Sequence, residues 1–447
     1  MLKGMSVAAT TLGCKVNQAE TDSMLDMLKA AGANIVEFDE KADIYIVNTC
    51  SVTNIADKKS RQMLHRARKM NPDGIVIAAG CYVQSAREIL EQDEAIDIVI
   101  SNNKKKSITE IVNDYINVRN NGKNAPGKDH EAMEYFVDIS RETEYEEMGG
   151  HVPVGHTRAY VKIQDGCNQF CSYCIIPYVR GRIRSRSQEA ILAEVSELAE
   201  AGIKEVVLTG IHISSYGKDK NNEGALIELI EAISKIKGIK RIRLGSLEPG
   251  IITEEFVERI SSNSKVCPHF HLSLQSGCDS VLKRMNRKYT CKQYFEKCDM
   301  LRKAYKSPAL TTDVIVGFPG ETEEEFAETV RYLTELNLYE MHIFKYSPRK
   351  GTVAAAMKEQ VAPEIKNERS DVLLKLAHDN KTAYEAQFEG CELEVLVEEV
   401  VKKDNKTYLR GHTERYMDIL IDVGDISMPE SFVNSFVYVT YTQNGGN

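Results

Sequence analysis

No stretch of this 447-residue sequence is apolar for the roughly 20 residues that a membrane-spanning helix requires. Its start, MLKGMSVAATTLGCKVN, lacks the basic stretch and long apolar core of a secretory leader. A cytoplasmic protein with no membrane segment is therefore expected. Positive charge is not in excess: 57 Lys and Arg against 66 Asp and Glu leave a net charge of -9, so any contact with RNA has to come from local patches. A paired cysteine framework is lacking too. Eleven cysteines, an odd number, are spread along the chain, which argues against disulfides and for reduced thiols in metal or redox chemistry. Internal repeats and low-complexity tracts are absent. What is present is 42% hydrophobic residues, enough for two or three domains and at least one sizeable core.

Apolar runs and helical patterns divide the chain into four parts. Residues 1–117 alternate strand-like stretches at 6–12, 44–47, 75–79 and 96–100 with helix-periodic segments such as 17–31 and 54–70. Asn17 with Glu20 three residues on resembles a capping box, and Gly32 is placed to end that helix. An α/β domain with a parallel sheet is expected. Residues 118–156, polar and charged, read as a linker or an extended crossing segment. In residues 157–385 strand candidates recur near 159–163, 205–208, 241–244, 270–274, 312–316 and 341–346. Gly202 and Gly238 read as helix stops, Thr322 with Glu325 as a capping box and Pro363 as a helix opener. Six β/α units predict a partial (β/α)6 barrel with its chemistry at the carboxyl ends of the strands. Residues 386–447 read as strands separated by turns, which predicts a small β-barrel.

Cys167, Cys171 and Cys174 form a C-x3-C-x2-C set just after the first barrel strand, on the loop where this fold class puts its active site. Three thiolates on one loop can hold three irons of a [4Fe–4S] cluster and leave the fourth open. A zinc knuckle and an electron-transfer cluster are the competing readings. Zinc would want a fourth Cys or His nearby, and none follows at suitable spacing. Three further cysteines share a placement: Cys14, Cys50 and Cys81 each come just past the end of a strand candidate, preceded by Gly13, Thr49 and Gly80. If those strands are parallel, the thiols converge on the crevice at their carboxyl ends. Three independent buried thiols are the alternative.

The triad at Cys167, Cys171 and Cys174 resembles the signature of the radical S-adenosylmethionine (SAM) superfamily. That resemblance implies SAM chelated at the open iron and cleaved by one electron to a 5′-deoxyadenosyl radical. Segments at Leu208 to His212, His271 to Gly277 and Thr312 to Glu321 resemble the superfamily's SAM contacts, which makes Gly210, His212, Gln275, Asp313 and Gly317 candidates; ordinary βα-loop punctuation is the competing account.

Segments Thr11 to Glu20, Asn48 to Asn54 and Ala79 to Cys81 resemble the amino-terminal domain of the methylthiotransferases, and the end of the chain is similar to a TRAM domain. Within that family, Leu12-Gly-Cys-Lys-Val-Asn17 most resembles the branch acting on N6-threonylcarbamoyladenosine at tRNA position 37. The resemblance implies two [4Fe–4S] clusters, on Cys14, Cys50 and Cys81 and on Cys167, Cys171 and Cys174. It implies a methylthio group built on a sulfur at the first cluster and delivered to carbon 2 of the adenine of tRNAs reading codons that begin with A. It also implies an electron donor such as flavodoxin or ferredoxin, and a sulfur source.

Two basic stretches could meet the tRNA backbone. Lys58, Arg61, His65 and Arg68 recur at spacings of three and four on one helix face, and Arg180, Arg182, Arg184 and Arg186 alternate so that an extended segment would show them on one face. A solvated helix face and ordinary loop arginines are the plainer readings. Arg410, Arg415, Tyr408 and Tyr416 offer phosphate contact and stacking at the end of the chain. From His378 onward, however, six Lys and Arg stand against thirteen Asp and Glu, so an RNA role there depends on the resemblance. Rival functions are a methylthiotransferase for isopentenyladenosine in tRNA, one for a ribosomal-protein aspartate, and a two-cluster electron carrier without catalysis.

Overall fold

The computed structural model describes residues 2–120, 135–150, 157–404, 406–424 and 428–443. Strands β1 (Ser6–Thr11), β2 (Asn34–Val36), β3 (Ile44–Thr49), β4 (Ile75–Gly80) and β5 (Ile98–Ile100) form one parallel sheet in the order β2-β1-β3-β4-β5. Every residue of β3 and β4 is buried, and a strand with no polar face needs cover on both sides. Met24 and Leu28 of the helix Lys15–Ala30, with Ile111 and Tyr115 of the helix Ile108–Asn120, cover one side. Leu64 and Ala67 of the helix Asn54–Met70, with Tyr82 and Val83, cover the other.

The expected strands are present within a few residues, and helix 54–70 agrees end to end, capped by Thr53. The three-residue edge strand β2 was not foreseen. The capping box at Asn17 and Glu20 does not form. Cys14 is already extended, so the helix starts at Lys15 and both residues lie inside it. Asn17 instead donates to the carbonyls of Leu12 (2.7 Å) and Thr49 (3.0 Å).

The barrel strands are β6 (Arg158–Asp165), β8 (Glu205–Gly210), β9 (Arg241–Leu244), β10 (His269–His271), β11 (Ala309–Val316) and β12 (Glu340–Lys345), with the two-residue β7 (Arg184–Ser185) antiparallel on the outer edge of β6. Pairing is parallel from β6 through β9 and from β10 through β12, and single parallel bridges, Ile242 to Val266 and Leu247 to Leu272, join the two halves. Alternation on β6 separates its faces. Ala159, Val161 and Ile163 pack in the main core against Ile191, Val195 and Leu198 of the helix Gln188–Glu200, while Tyr160 and Lys162 turn to the concave side. That side is polar: Thr209, Arg243, His269, His271, Asp313 and His342 line it. The helix Lys15–Ala30 of the first part lies across β6 and β8 and closes the lumen.

The capping box at Thr322 and Glu325 forms, and Pro363 opens the helix Pro363–Ala386. Gly202 follows its helix end by two residues with φ +90°, whereas Gly238 comes four residues after Ser234, in the turn beyond a helix already ended. Of residues 118–156, the first three continue the helix Ile108–Asn120, and 121–134 and 151–156 lie outside the described residues. Residues 135–150 are a packed crossing segment: the Tyr135 carbonyl accepts from the Ser101 N–H (3.2 Å), and Tyr145 donates to the Lys162 carbonyl (3.1 Å).

Strands β13 (Glu392–Lys403), β14 (Lys406–Thr413), β15 (Asp418–Asp422) and β16 (Phe436–Thr440) form an antiparallel sheet in the order β15-β14-β13-β16. A register shift between Val397 and Glu399 bends β13, and the sheet curls around Val397, Leu409 and Val423 as the small barrel requires. Leu393, Val395, Met417 and Ile419 dock on Ala309 and Tyr339 at the entry ends of β11 and β12. Arg241 reaches down to Glu394 (2.9 Å), and Arg243 to the carbonyls of Glu414 (2.9 Å) and Thr413 (3.2 Å). Among the described residues no helix is long and apolar enough to cross a membrane.

Candidate functional site

The sheet order reverses between β1 and β3, and open α/β sheets bind ligands in the crevice at that point. Cys14 lies three residues past β1, and Cys50 and Cys81 immediately follow β3 and β4. Gly13 has φ +103°, and a Cβ there would lie 2.8 Å from the Cys50 sulfur, so the two loops approach only because this residue is glycine. Burial pushes the Cys50 thiol up to about 11, and the Cys81 and Cys14 sulfurs push the same way. Arg180 Nε stands 3.2 Å and Asn102 Nδ2 3.8 Å from the Cys81 sulfur. Cys50 and Cys81 are buried and Cys14 is exposed, so the set is open on one side. Three crowded sulfurs with N–H donors aimed at one of them suit a metal cluster with an open position.

The second set follows β6 by two residues. Gly166 has φ +71°, and a Cβ there would lie 1.8 Å from the Arg182 carbonyl oxygen, so the loop turns back beneath its own continuation. The Gln169 N–H donates to the Cys167 sulfur (3.4 Å) and Arg287 Nη1 to that of Cys171 (3.2 Å). Burial raises Cys167 to about 11 and Cys174 to about 12, the Cys171 sulfur adding to both. This donor set also fits a cluster. The three thiols border a cavity of about 320 Å³ at the carboxyl ends of the barrel strands, and His212, Gln275 and Asp313 line it. Val52 and Thr53, two and three residues past Cys50, line the same cavity.

Gly210 and Gly317 do not line that cavity. Gly210 borders a neighbouring space in the barrel lumen, and a Cβ at Gly317 would meet Lys366 Cγ at 2.3 Å, so this glycine serves helix packing. Two lining residues were missed. Glu248 accepts from Gln169 Nε2 (2.8 Å) and stands 3.4 Å from His212 Nε2; its place just past β9, at the chemical end of the barrel, was an available signal. Arg287 follows a short helix and carried no signal.

The arginine row does not form an exposed face. Arg180, Arg184 and Arg186 are buried, and only Arg182 is exposed, its guanidinium 4.5 Å from the Phe170 ring centre. Arg184 donates to the carbonyls of Arg180 (2.9 Å) and Arg182 (3.1 Å), and Arg186 pairs with Glu147 and Glu194. Arg180 bonds Glu20 (2.8 Å) and Asp165 (3.0 Å), and Lys162 bonds the same two carboxylates (2.7 and 2.6 Å). Lys105 adds a further bond to Glu20, which completes a buried ionic network between the first part and the barrel.

On the helix Asn54–Met70, Lys58 and Arg61 are exposed, but Arg68 is tied to Asp97 and to the carbonyls of Pro72 and Gly74. In the last part Arg410 is held by Asp418 and Glu399, while Arg415 bonds the carbonyls of Ser307 and Lys306 and so serves docking. Tyr416 is stacked on His412 at the floor of the barrel.

Residues 161–333 match the radical SAM superfamily, and residues 6–101 match a family described as uncharacterized protein family UPF0004. The threonylcarbamoyladenosine tRNA methylthiotransferase of Bacillus subtilis (strain 168) is 39% identical over 416 residues, covering 93% of this chain and 90% of its own. The chain belongs to the radical SAM methylthiotransferases. The Aquifex aeolicus (strain VF5) threonylcarbamoyladenosine tRNA methylthiotransferase is 37% identical over 93% of this chain and 98% of its own. A tRNA-2-methylthio-N(6)-dimethylallyladenosine synthase from Thermoanaerobacter pseudethanolicus (strain ATCC 33223 / 39E) is 35% identical over 97% of this chain and 90% of its own. Among solved structures, the radical SAM methyltransferase TsrM from Kitasatospora setae aligns with a TM-score of 0.58 at 14% identity, covering 79% of this chain and 77% of that one, a likeness of fold alone. A methylthiotransferase is an enzyme, so the electron-carrier reading falls away. SAM and [4Fe–4S] iron are the cofactors of this family's chemistry.

Proposed function

We propose that this methylthiotransferase adds a methylthio group to carbon 2 of N6-threonylcarbamoyladenosine at position 37 of tRNAs reading codons that begin with A, with Cys14, Cys50 and Cys81 holding one [4Fe–4S] cluster and Cys167, Cys171 and Cys174 the other. One observation supports the two-site reading: Val52 and Thr53, two and three residues past Cys50, line the cavity that the barrel triad borders, so the Cys50 loop forms part of that chamber's wall. The threonylcarbamoyl substrate is supported by the Leu12 to Asn17 motif and by relatives of that name at 35–39% identity, against 35–37% for the dimethylallyladenosine synthases.

Bound by the two thiol sets, the clusters would supply the electron that cleaves SAM and the anchor for the transferred sulfur; a C–H bond with no acidic proton and no leaving group calls for such radical chemistry. The chain's own residues bind and orient. Arg287 holds the Cys171 sulfur, and the Gln169 amide holds Cys167. Burial favours the neutral acid at Glu248, yet the His212 imidazole 3.4 Å away, and then Arg287, keep its carboxyl below the usual range. It is thus a fixed acceptor for the ammonium or ribose hydroxyls of SAM. Ile176, Phe344 and Tyr346 wall the chamber against water. Lys58, Arg61 and Arg182 are the exposed cations for the tRNA backbone. The curled terminal sheet takes the TRAM-like place. An external one-electron donor, such as a flavodoxin or ferredoxin, and a sulfur source complete the reaction in the cytoplasm.

The test is anaerobic incubation of the reconstituted protein with SAM, a low-potential reductant and tRNA carrying either threonylcarbamoyl- or isopentenyladenosine, read by nucleoside mass spectrometry. The 2-methylthio product is expected from the first tRNA. Product from the second alone would contradict the substrate assignment.

A further inference from the structure

Beside the SAM chamber, and sharing Ser246 and Asp313 with it, a second cavity of about 430 Å³ runs down the barrel lumen from Cys14. Its lining carries Lys15 and Arg243 with Asp313 and Glu340. Arg243, with Arg158 and Arg241 beneath it, is taken up by Glu205, Glu394 and Glu398. Lys15 has no hydrogen bond or ion pair among the described residues. Its Nζ lies 5.6 Å from the Tyr160 ring centre and 5.9 Å from that of Tyr416. A further polar atom is unpartnered: His269 Nδ1 is buried without a hydrogen bond. On the neighbouring strand Asp313 stands 3.4 Å from His271 Nε2, and Glu340 is held by Lys381.

A cavity with one unmatched cation, an unpaired imidazole nitrogen and a His–Asp pair on adjacent strands complements a small arm that carries a carboxylate together with hydroxyl and N–H groups. An aliphatic arm would leave all of these desolvated and unpaired. Resting on the function proposed above, we propose that this lumen cavity receives the amino-acid arm of the modified adenosine, with Lys15 pairing its carboxylate, and that Lys15 is therefore a specificity-determining residue. The adenine ring is then left at the cavity mouth, between Cys14 and the SAM chamber, where the sulfur is to be delivered.

The experiment uses cluster-loaded enzyme and anticodon stem-loop RNAs bearing either the threonylcarbamoyl arm or the same arm with its carboxylate converted to a carboxamide. Lys15→Gln should raise KM for the carboxylate RNA by roughly tenfold or more, with the effect concentrated in KM rather than kcat. On the carboxamide RNA, Lys15→Gln and unaltered enzyme should agree within about twofold, since the charge partner is gone from the substrate. Lys15→Arg should recover most of the loss. Iron content and the cluster absorption band certify the variants. Equal loss on both RNAs, or no loss on either, overturns the assignment of Lys15. Unaltered enzyme that is inactive on the carboxylate RNA but active on isopentenylated RNA overturns the substrate reading itself, and this inference with it.

Discussion

The guanidinium of Arg180 donates from Nε to the sulfur of Cys81 at 3.2 Å, and the same group bonds Asp165, two residues before Cys167, at 3.0 Å. One side chain thus ties the two thiol loops together. It is fully buried, and its remaining N–H groups go to Asn17 (2.5 Å) and Glu20. A planar fork with donors on three edges suits this position, and a lysine could not reproduce it.

Arg180→Ala leaves Glu20 and Asp165 buried with Lys105, Lys162 and the more distant Arg184 beside them. A loss of about 3–5 kcal/mol is expected from removing one partner of a buried ionic group. Denaturant unfolding of the cluster-free protein checks this, and Arg180→Lys should recover only part. A loss under about 1 kcal/mol would mean that the network does not hold the two parts together.

Acid should weaken the floor of the barrel through Glu205. Burial favours its neutral form, but the ion pair and hydrogen bond with Arg243, aided by Arg158 and Arg241, hold its carboxyl at about 2 against an ordinary 4.5. A depressed carboxyl contributes stability that is present above its unfolded value and is lost as pH falls through the folded one. The window is therefore about pH 4.5 down to 2, and the amount is on the order of 3 kcal/mol. Urea midpoints of the cluster-free protein, followed from pH 6 to pH 3, should fall more steeply than those of Glu205→Gln. Parallel curves would contradict the assignment.

Lys58 and Arg61 are exposed on their helix, so Lys58→Glu with Arg61→Glu should weaken tRNA binding and lower the salt slope by roughly one unit per lost phosphate contact. Arg68→Glu should instead destabilise the first part, since it breaks the contacts with Asp97, Pro72 and Gly74. An unchanged slope in the double variant would return this face to solvent.

The strands and the barrel thiol set were legible because both are local signals. Continuous apolar runs marked β3 and β4, and spacing alone grouped Cys167, Cys171 and Cys174. Cys14, Cys50 and Cys81 could be joined only on the supposition of a parallel sheet. What was misread depends on distant partners. Arg184 and Arg186 alternate as an exposed strand would, but β7 is two residues long and Glu147 and Glu194 come from other segments to neutralise Arg186. Glu20 looked like half of a capping box because nothing nearby announces Lys105, Lys162 and Arg180 around it. Lys15 drew notice only as a letter of a motif, since the cavity it enters is closed by three parts of the chain.

The central claim is that two thiol sets divide the work within one chamber. The most direct test is a variant with Cys14, Cys50 and Cys81 all replaced by Ala, reconstituted anaerobically and assayed for iron, 5′-deoxyadenosine and methylthiolated nucleoside in one reaction with tRNA. Half the iron, continued formation of 5′-deoxyadenosine and no methylthiolated product are predicted, because the barrel set alone suffices to break the sulfonium bond and no anchor remains for the sulfur. A variant that binds tRNA and still forms methylthiolated nucleoside would contradict the account.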